Sequence, residues 1–364
     1  MDHWVNSADA HVLEPADMFM QRLPKRFVER APRSEGVGEG HLETIIVDGK
    51  PVMWQPPEFA EAMRPPGASD PDQRLRDLDS EGIWSELIFP SLAIWTWMIE
   101  DPELAAACAR AYNDWLVEEF LPISQRFIGV ALLPSTDTDD AINEMHRAAE
   151  RGFKGVGLPT TPPPGRDYNR DVWDPLWAAA EEAGVHLCFH IGTGADPVVA
   201  RGRGGAVINY TETFLPAQRA LAHLVASSAL DRHPDLHVFF IEGGASWLPS
   251  MMERMDEGYR QHDMVVRPKL SVLPSEIIRR QVHASFQHDR AALNTLEVTG
   301  VEAVVWGSDY PHLEGTFPNT RSVVDDIFDG VDPEVRRAVT GGTMAKLFGM
   351  PEPDTALPPP VTAA

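Results

Sequence analysis

Five side chains of this sequence are of the kinds that hold metal ions, and each falls at or near the end of a short apolar run. Asp9 and His11 lie in 7–13, His190 in 185–191, Glu242 just past 236–241, and Asp309 directly after Val304-Val305-Trp306-Gly307-Ser308. Residues two apart on an extended chain share a face, so Asp9 and His11 offer two ligands side by side without a turn. Imidazole and carboxylate together suit zinc, manganese or iron. A single histidine or aspartate at a strand end is ordinarily just a satisfied polar residue. Strands far apart in the chain that all end this way point instead to one cation held among them. His312, after the break at Pro311, either hydrogen-bonds a ligand or substrate or steadies its own loop.

Other candidates carry open alternatives. His288, next to Asp289 beyond 282–287, is a substrate contact or part of a surface turn. Arg201 and Arg203, set among Gly202, Gly204 and Gly205, form a clamp for an anionic group or belong to a solvated loop. Trp54, Trp95 and Trp97 either wall a bulky apolar pocket or pack internally. No G-x-S-x-G elbow accompanies any serine, so a nucleophilic triad is not expected.

These groups need a scaffold that brings strand ends together. The apolar runs 7–13, 86–90, 127–134, 153–159, 185–191, 236–241, 282–287 and 303–308 alternate with helical patterns. Asp70, for example, caps a helix that Gly82 stops, and Asp101-Pro102-Glu103 opens another. Eight such units predict an α/β chain folded as a (β/α)8 TIM barrel, whose active site sits at the C-terminal ends of its strands. A doubly wound open sheet is the weaker alternative, because no Gly-rich nucleotide loop follows any strand. A long excursion, 16–69, interrupts the pattern after the first strand. Within it Asp48-Gly49, between 44–47 and 51–54, predicts a β-hairpin. The expected domain is 1–350, followed by a Pro-rich disordered tail, 351–364.

Bulk composition narrows the partners. The 364 residues carry 31 basic and 55 acidic side chains, a net charge of −24, which repels nucleic acid and anionic membrane. No apolar run approaches the ~18 residues of a membrane span. The N-terminus lacks the shape of a signal peptide, and Cys108 and Cys188 form no disulfide or CxxC framework. A cytoplasmic location and a small-molecule substrate are the resulting expectations.

The chain resembles the amidohydrolase-2 family, the branch of the amidohydrolase superfamily that includes metal-dependent decarboxylases and hydrolases. The resemblance rests on Asp9-Ala10-His11-Val12-Leu13-Glu14-Pro15, Phe189-His190-Ile191-Gly192, Glu242-Gly243-Gly244 and Trp306-Gly307-Ser308-Asp309-Tyr310-Pro311-His312. The 70–82 helix, Phe89-Pro90-Ser91 and Arg232-His233-Pro234 also fit it. It implies metal ligands at Asp9, His11, His190 and Asp309, and family habit adds a homodimer. Two departures stand out: Asp9 replaces the first histidine of a His-x-His pair, and Glu242 stands where a histidine is common. Glu242 is therefore a ligand or an acid–base group. No lysine ends 153–159, which favours one ion unless Glu242 bridges two.

The expected activity is divalent-metal-dependent hydrolysis or non-oxidative decarboxylation of a small organic acid or related carbonyl compound, with zinc, manganese or iron as one or two ions. Asp309 would move the proton, with Glu242 and His312 assisting. The carboxylate-rich set leaves a non-haem iron oxygenase as an alternative, with two ions and with His288 and His312 near the strand ends. A barrel that has lost catalysis and only binds a ligand is the alternative outside enzymes.

Overall fold

The computed structural model describes residues 1–38, 42–194, 200 and 202–359. Strand β1 spans Val5–Val12. Strands β2 (Arg33–Glu35), β3 (Glu43–Val47) and β4 (Lys50–Gln55) lie in the excursion. Strands β5 (Ile83–Pro90), β6 (Phe127–Leu132), β7 (Gly155–Thr161), β8 (His186–Gly194), β9 (Val238–Ile241), β10 (Val282–Phe286) and β11 (Val304–Trp306) follow. β1 and β5 to β11 form one sheet in that order, with helices between successive strands. This is the expected (β/α)8 barrel fold. The chain divides into two compact units, Met1–Leu132 with Trp306–Ala364, and Leu133–Val305.

In the first unit β1 and β5 pair in parallel, with His11 opposite Phe89, and β5 pairs with β6. β5 begins three residues before the expected 86, because Ile83, Trp84 and Ser85 are buried as well. The helix Pro71–Glu81 begins as the sequence predicts: Asp70 accepts from the Asp72 and Gln73 amides, and left-handed Gly82 ends it. Its Arg74 is fully buried. Arg74 Nε pairs with the equally buried Glu86, Nη1 donates to the His11 carbonyl at 2.8 Å, and the guanidinium lies 4.8 Å from the Tyr310 ring. One buried charge thus ties helix, strand and the chain beyond β11 together.

The hairpin turns on Asp48 and Gly49, at φ 49° and 72°, the left-handed pair that a two-residue turn needs. β2 adds a third antiparallel strand that the sequence pattern did not show. Trp95 and Trp97 lie in a 3-10 helix, Ala93–Met98, instead of an irregular loop. The C-terminal segment is helical in three pieces, Pro333–Arg337, a π turn at Ala338–Gly342, and Thr343–Phe348. Gly341, at φ 153° and ψ −20°, leaves helical geometry there, and a Cβ on it would stand 2.8 Å from the Asn6 amide of β1. Residues 351–359, expected as disordered tail, make defined contacts. Indole N–H groups of Trp84 and Trp4 donate to the Pro351 and Thr355 carbonyls at 2.8 Å, and Arg321 donates to Pro358 at 2.7 Å. A proline-rich segment has few amide donors of its own but keeps every carbonyl, so it docks as an acceptor.

In the second unit β7, β8, β9 and β10 pair in parallel, with Cys188 opposite Phe239 and Val282 opposite Val238. Its core is aromatic. Phe189 stacks on Phe240 at 5.4 Å, and Tyr168, Trp173 and Trp177 pack beside them. After β8 the structure has a helix, Gly205–Glu212. Its Val207 and Tyr210 are 72% and 63% exposed, so it presents no buried stripe for periodicity to reveal. Helices Pro274–Gln281 here and Thr320–Ile327 in the first unit were likewise not anticipated. Among the described residues no helix is long and apolar enough to cross a membrane.

Replacing Arg74 by Met should cost about 3–5 kcal/mol, because it leaves the Glu86 carboxylate buried without its partner. The double variant Arg74→Met/Glu86→Leu should regain most of that loss. Urea unfolding of both proteins checks this, and an undiminished loss in the double variant would show that the ion pair is not what matters.

Candidate metal centre

The first unit brings together Asp9, His11, Asp309 and His312. Backbone pairing sets their spacing. The Asp309 amide donates to the Asp9 carbonyl at 2.9 Å, and the His11 amide donates to the Tyr310 carbonyl at 2.6 Å. Ser7 Oγ accepts from the Ser308 amide at 2.8 Å and donates to the Asp9 carbonyl at 2.6 Å. Gly307 permits this approach: a Cβ there would lie 2.7 Å from Asp9 Cβ.

The side chains then converge. His11 Nδ1 lies 3.0 Å from the Pro90 carbonyl, which can only accept, so Nδ1 carries the proton. His11 Nε2 is left as a lone-pair ligand, 3.6 Å from Asp9 Oδ1 and 3.7 Å from Asp309 Oδ1. Those separations are too long for hydrogen bonds and suit groups that share one ion. His312 Nδ1 approaches Asp309 Oδ1 at 2.9 Å, and its ring stacks on His11 at 4.1 Å. Asp9 and Asp309 are fully buried. Burial pushes the Asp309 carboxyl well above its usual range, and the charges of Asp9 and Glu314 push the same way. Two buried acids beside an imidazole are the environment that a divalent cation relieves. The donor set therefore fits a metal.

The second unit brings His190 and Glu242 together, with Nε2 and Oε2 3.4 Å apart. His190 Nδ1 donates to the Ile191 carbonyl at 2.9 Å, so Nε2 is again the lone-pair nitrogen. A partner that fixes the tautomer in this way is usual for metal-binding histidine. Glu242 and Asp309 share a further property: both are non-glycine residues with left-handed φ, 69° and 54°. Such conformations cost of order 1–3 kcal/mol and persist where the surroundings impose them.

The remaining candidates are dispersed. His288 is exposed in the turn after β10, Arg203 is exposed before the Gly205–Glu212 helix, and Arg201 lies outside the described residues. Trp97 is buried, Trp95 is half-buried, and Trp54 is 44% exposed on β4. Sequence reasoning overlooked Ser7, Ser308, Gly307, Arg74 and Glu86. Ser7 did leave a signal, since it alternates with Asp9 and His11 on β1. It also passed over Glu14, whose buried carboxylate accepts from the Leu92 and Ala93 amides at 2.9 and 2.8 Å and so anchors the turn carrying Trp95 and Trp97.

A parallel barrel with histidines and acids at its strand ends defines a metal-dependent barrel enzyme class. Comparison with known proteins places the chain further: it belongs to the amidohydrolase family, whose model matches residues 8–350. A γ-resorcylate decarboxylase from Rhizobium sp. (strain MTP-10005) is 31% identical over 197 residues, which are 51% of this chain and 58% of that protein. The chain thus spans less than two thirds of this curated relative. Among solved structures, an amidohydrolase from Mycobacterium avium subsp. paratuberculosis K-10 aligns with a TM-score of 0.77 at 21% identity, covering 96% of this chain and 98% of that one. A dihydroxybenzoic acid decarboxylase from Polaromonas sp. JS666, solved with manganese and the inhibitor 2-nitroresorcinol, aligns with a TM-score of 0.65 at 17% identity, covering 95% and 97%.

Glu14 makes a pH prediction. Burial, only partly offset by the Ala93 and Leu92 amides, raises its pKa from 4.5 to about 6. The folded chain then binds more protons than the unfolded chain between those values. The contribution to stability is complete below pH 4.5 and is lost as pH rises through 6. Glu14→Gln should therefore gain on the parent by about 2 kcal/mol as pH rises from acid to neutral. Unfolding titrations of the two proteins across that range would show it, and a difference independent of pH would remove the assignment.

Proposed function

We propose that this chain is a divalent-metal-dependent, non-oxidative decarboxylase acting on a hydroxybenzoate-type acid. Asp9, His11, His190 and Asp309 would hold one ion, with Glu242 as a further ligand. The observation that carries this reading is the donor arrangement: Asp309 fully buried beside Asp9 with its Oδ1 3.7 Å from His11 Nε2, and two histidines whose Nδ1 faces a carbonyl, which leaves Nε2 for a ligand. The curated γ-resorcylate decarboxylase that the chain matches over 197 residues supports the substrate class.

When bound, the ion would act as a Lewis acid that fixes the substrate carboxylate and a neighbouring oxygen. The chain's own groups do the rest. Asp309, with His312 Nδ1 at 2.9 Å, is placed to pass a proton onward and take one back. As the ring–carboxylate bond breaks, carbon dioxide leaves without that bond's electron pair. The ring carbon keeps the pair and takes the proton from Asp309. Burial of Asp9, His11 and Asp309 excludes bulk water from this transfer. Hydrolysis is the second reading, favoured by the amidohydrolase match itself; Asp309 would then accept a proton from water as it attacks a carbonyl.

Purified protein loaded with manganese should release carbon dioxide from γ-resorcylate or a related hydroxybenzoate, with about one ion per chain by elemental analysis. Asp309→Asn should lose roughly 10²–10⁴-fold in turnover while its unfolding midpoint shows an intact fold. Near-normal turnover in that variant would remove Asp309 from the mechanism. Loaded protein that turns over no hydroxybenzoate but hydrolyses esters or amides would favour the second reading, and two irons with oxygen uptake would displace both.

A further inference from the structure

The segment after β9 turns sharply at Glu242, and the structure shows what holds it there. Ser285 Oγ, on β10, accepts from the Glu242 amide at 2.7 Å. Four residues on, Asp289 Oδ2 accepts from the amides of Ala245 and Ser246 at 2.9 and 2.7 Å, while Oδ1 accepts from Ala292 at 3.2 Å. The Trp247 indole donates to the carbonyls of Gly243 and Gly244 at 3.1 and 2.8 Å. Glu242 and Gly244 both hold left-handed φ, 69° and 68°. The segment 242–246 is thus tied at its first amide, its middle carbonyls and its last two amides. Asp289 closes the far end, and a Cβ on Gly244 would come within 3.1 Å of its Oδ2.

We infer that Asp289 is a positioning residue for Glu242. It does not meet the ion or substrate itself. It fixes the 242–246 turn, so that a glutamate in a conformation that side chains rarely adopt keeps its carboxylate 3.4 Å from His190 Nε2. Ser285 assists from the other end. The sequence leaves His288, next to Asp289, as a substrate contact or part of a surface turn; the hydrogen bonds give Asp289 this supporting role. A carboxylate suits the task because one oxygen can take two adjacent amides while the other caps the next helix turn. The inference rests on the proposal that Glu242 is a metal ligand.

The test is a double-mutant cycle read as the Mn²⁺ dissociation constant of the full chain, which needs no substrate. Asp289→Ala should weaken Mn²⁺ binding about 10- to 100-fold, the usual loss when a partner that orients a ligand is removed. The same change added to Glu242→Gln should alter it less than about twofold, since there is then no ligand left to position. Asp289→Asn, which keeps one acceptor oxygen, should recover part of the affinity, and Ser285→Ala should lose some of it. If Asp289→Ala does not fold, as judged by its unfolding midpoint, those two milder variants carry the test. Equal losses in the parent and Glu242→Gln backgrounds would mean a general structural effect and overturn the inference. Unchanged binding in Asp289→Ala beside a clear loss in Glu242→Gln would overturn the inference alone. Parental binding in Glu242→Gln would remove Glu242 from the metal and take the inference with it.

Discussion

The pairing of residues 7–11 with 308–310 is the constraint on which the rest of the first unit depends. Three hydrogen bonds, Asp309 to Asp9, His11 to Tyr310 and Ser308 to Ser7, bring together segments from opposite ends of the chain. They leave no freedom in how the Asp9, His11 and Asp309 side chains meet. The pairing needs a glycine at 307, because any Cβ there would collide with Asp9. It also leaves two acids buried against each other, which folding alone would not favour.

Electrostatics separates two kinds of buried charge in this unit. Arg74 and Glu86 neutralise each other and organise the backbone around His11. Asp9 and Asp309 instead face His11 Nε2, at 3.6 and 3.7 Å, beyond hydrogen-bond reach. The first arrangement satisfies itself. The second is a donor set that fits a cation. The same contrast holds in the second unit, where Ser285 and Asp289 satisfy the backbone around Glu242 while its carboxylate turns to His190.

Much of this was legible in the sequence because the information is local. Alternating apolar runs gave the barrel, Asp70 and Gly82 bounded a helix, and Asp48-Gly49 gave a turn. Asp9 and His11 were readable as neighbouring donor side chains because a strand puts residues two apart on one face. What escaped was structure without an apolar signature. The Gly205–Glu212 helix faces outward, the break at Gly341 answers to Asn6, and the tail segment 351–359 is held by indoles from β5 and the N-terminus. Arg74 escaped for the opposite reason: charge on a helix ordinarily marks its solvated face, and only the position of Glu86 turns it inward.

By itself, then, the sequence determined the order of strands and helices and the kinds of atom available at the strand ends, since both follow from residue type and short-range periodicity. The tertiary structure decided which ring nitrogen of His11 and His190 carries the proton, because Nδ1 faces the carbonyls of Pro90 and Ile191. It decided that His312 sits against Asp309 and that His288 stays in an exposed turn. It also assigned Asp289 to the backbone of the Glu242 turn. These outcomes depend on distances and directions between segments far apart in the chain, which no pattern of neighbours encodes.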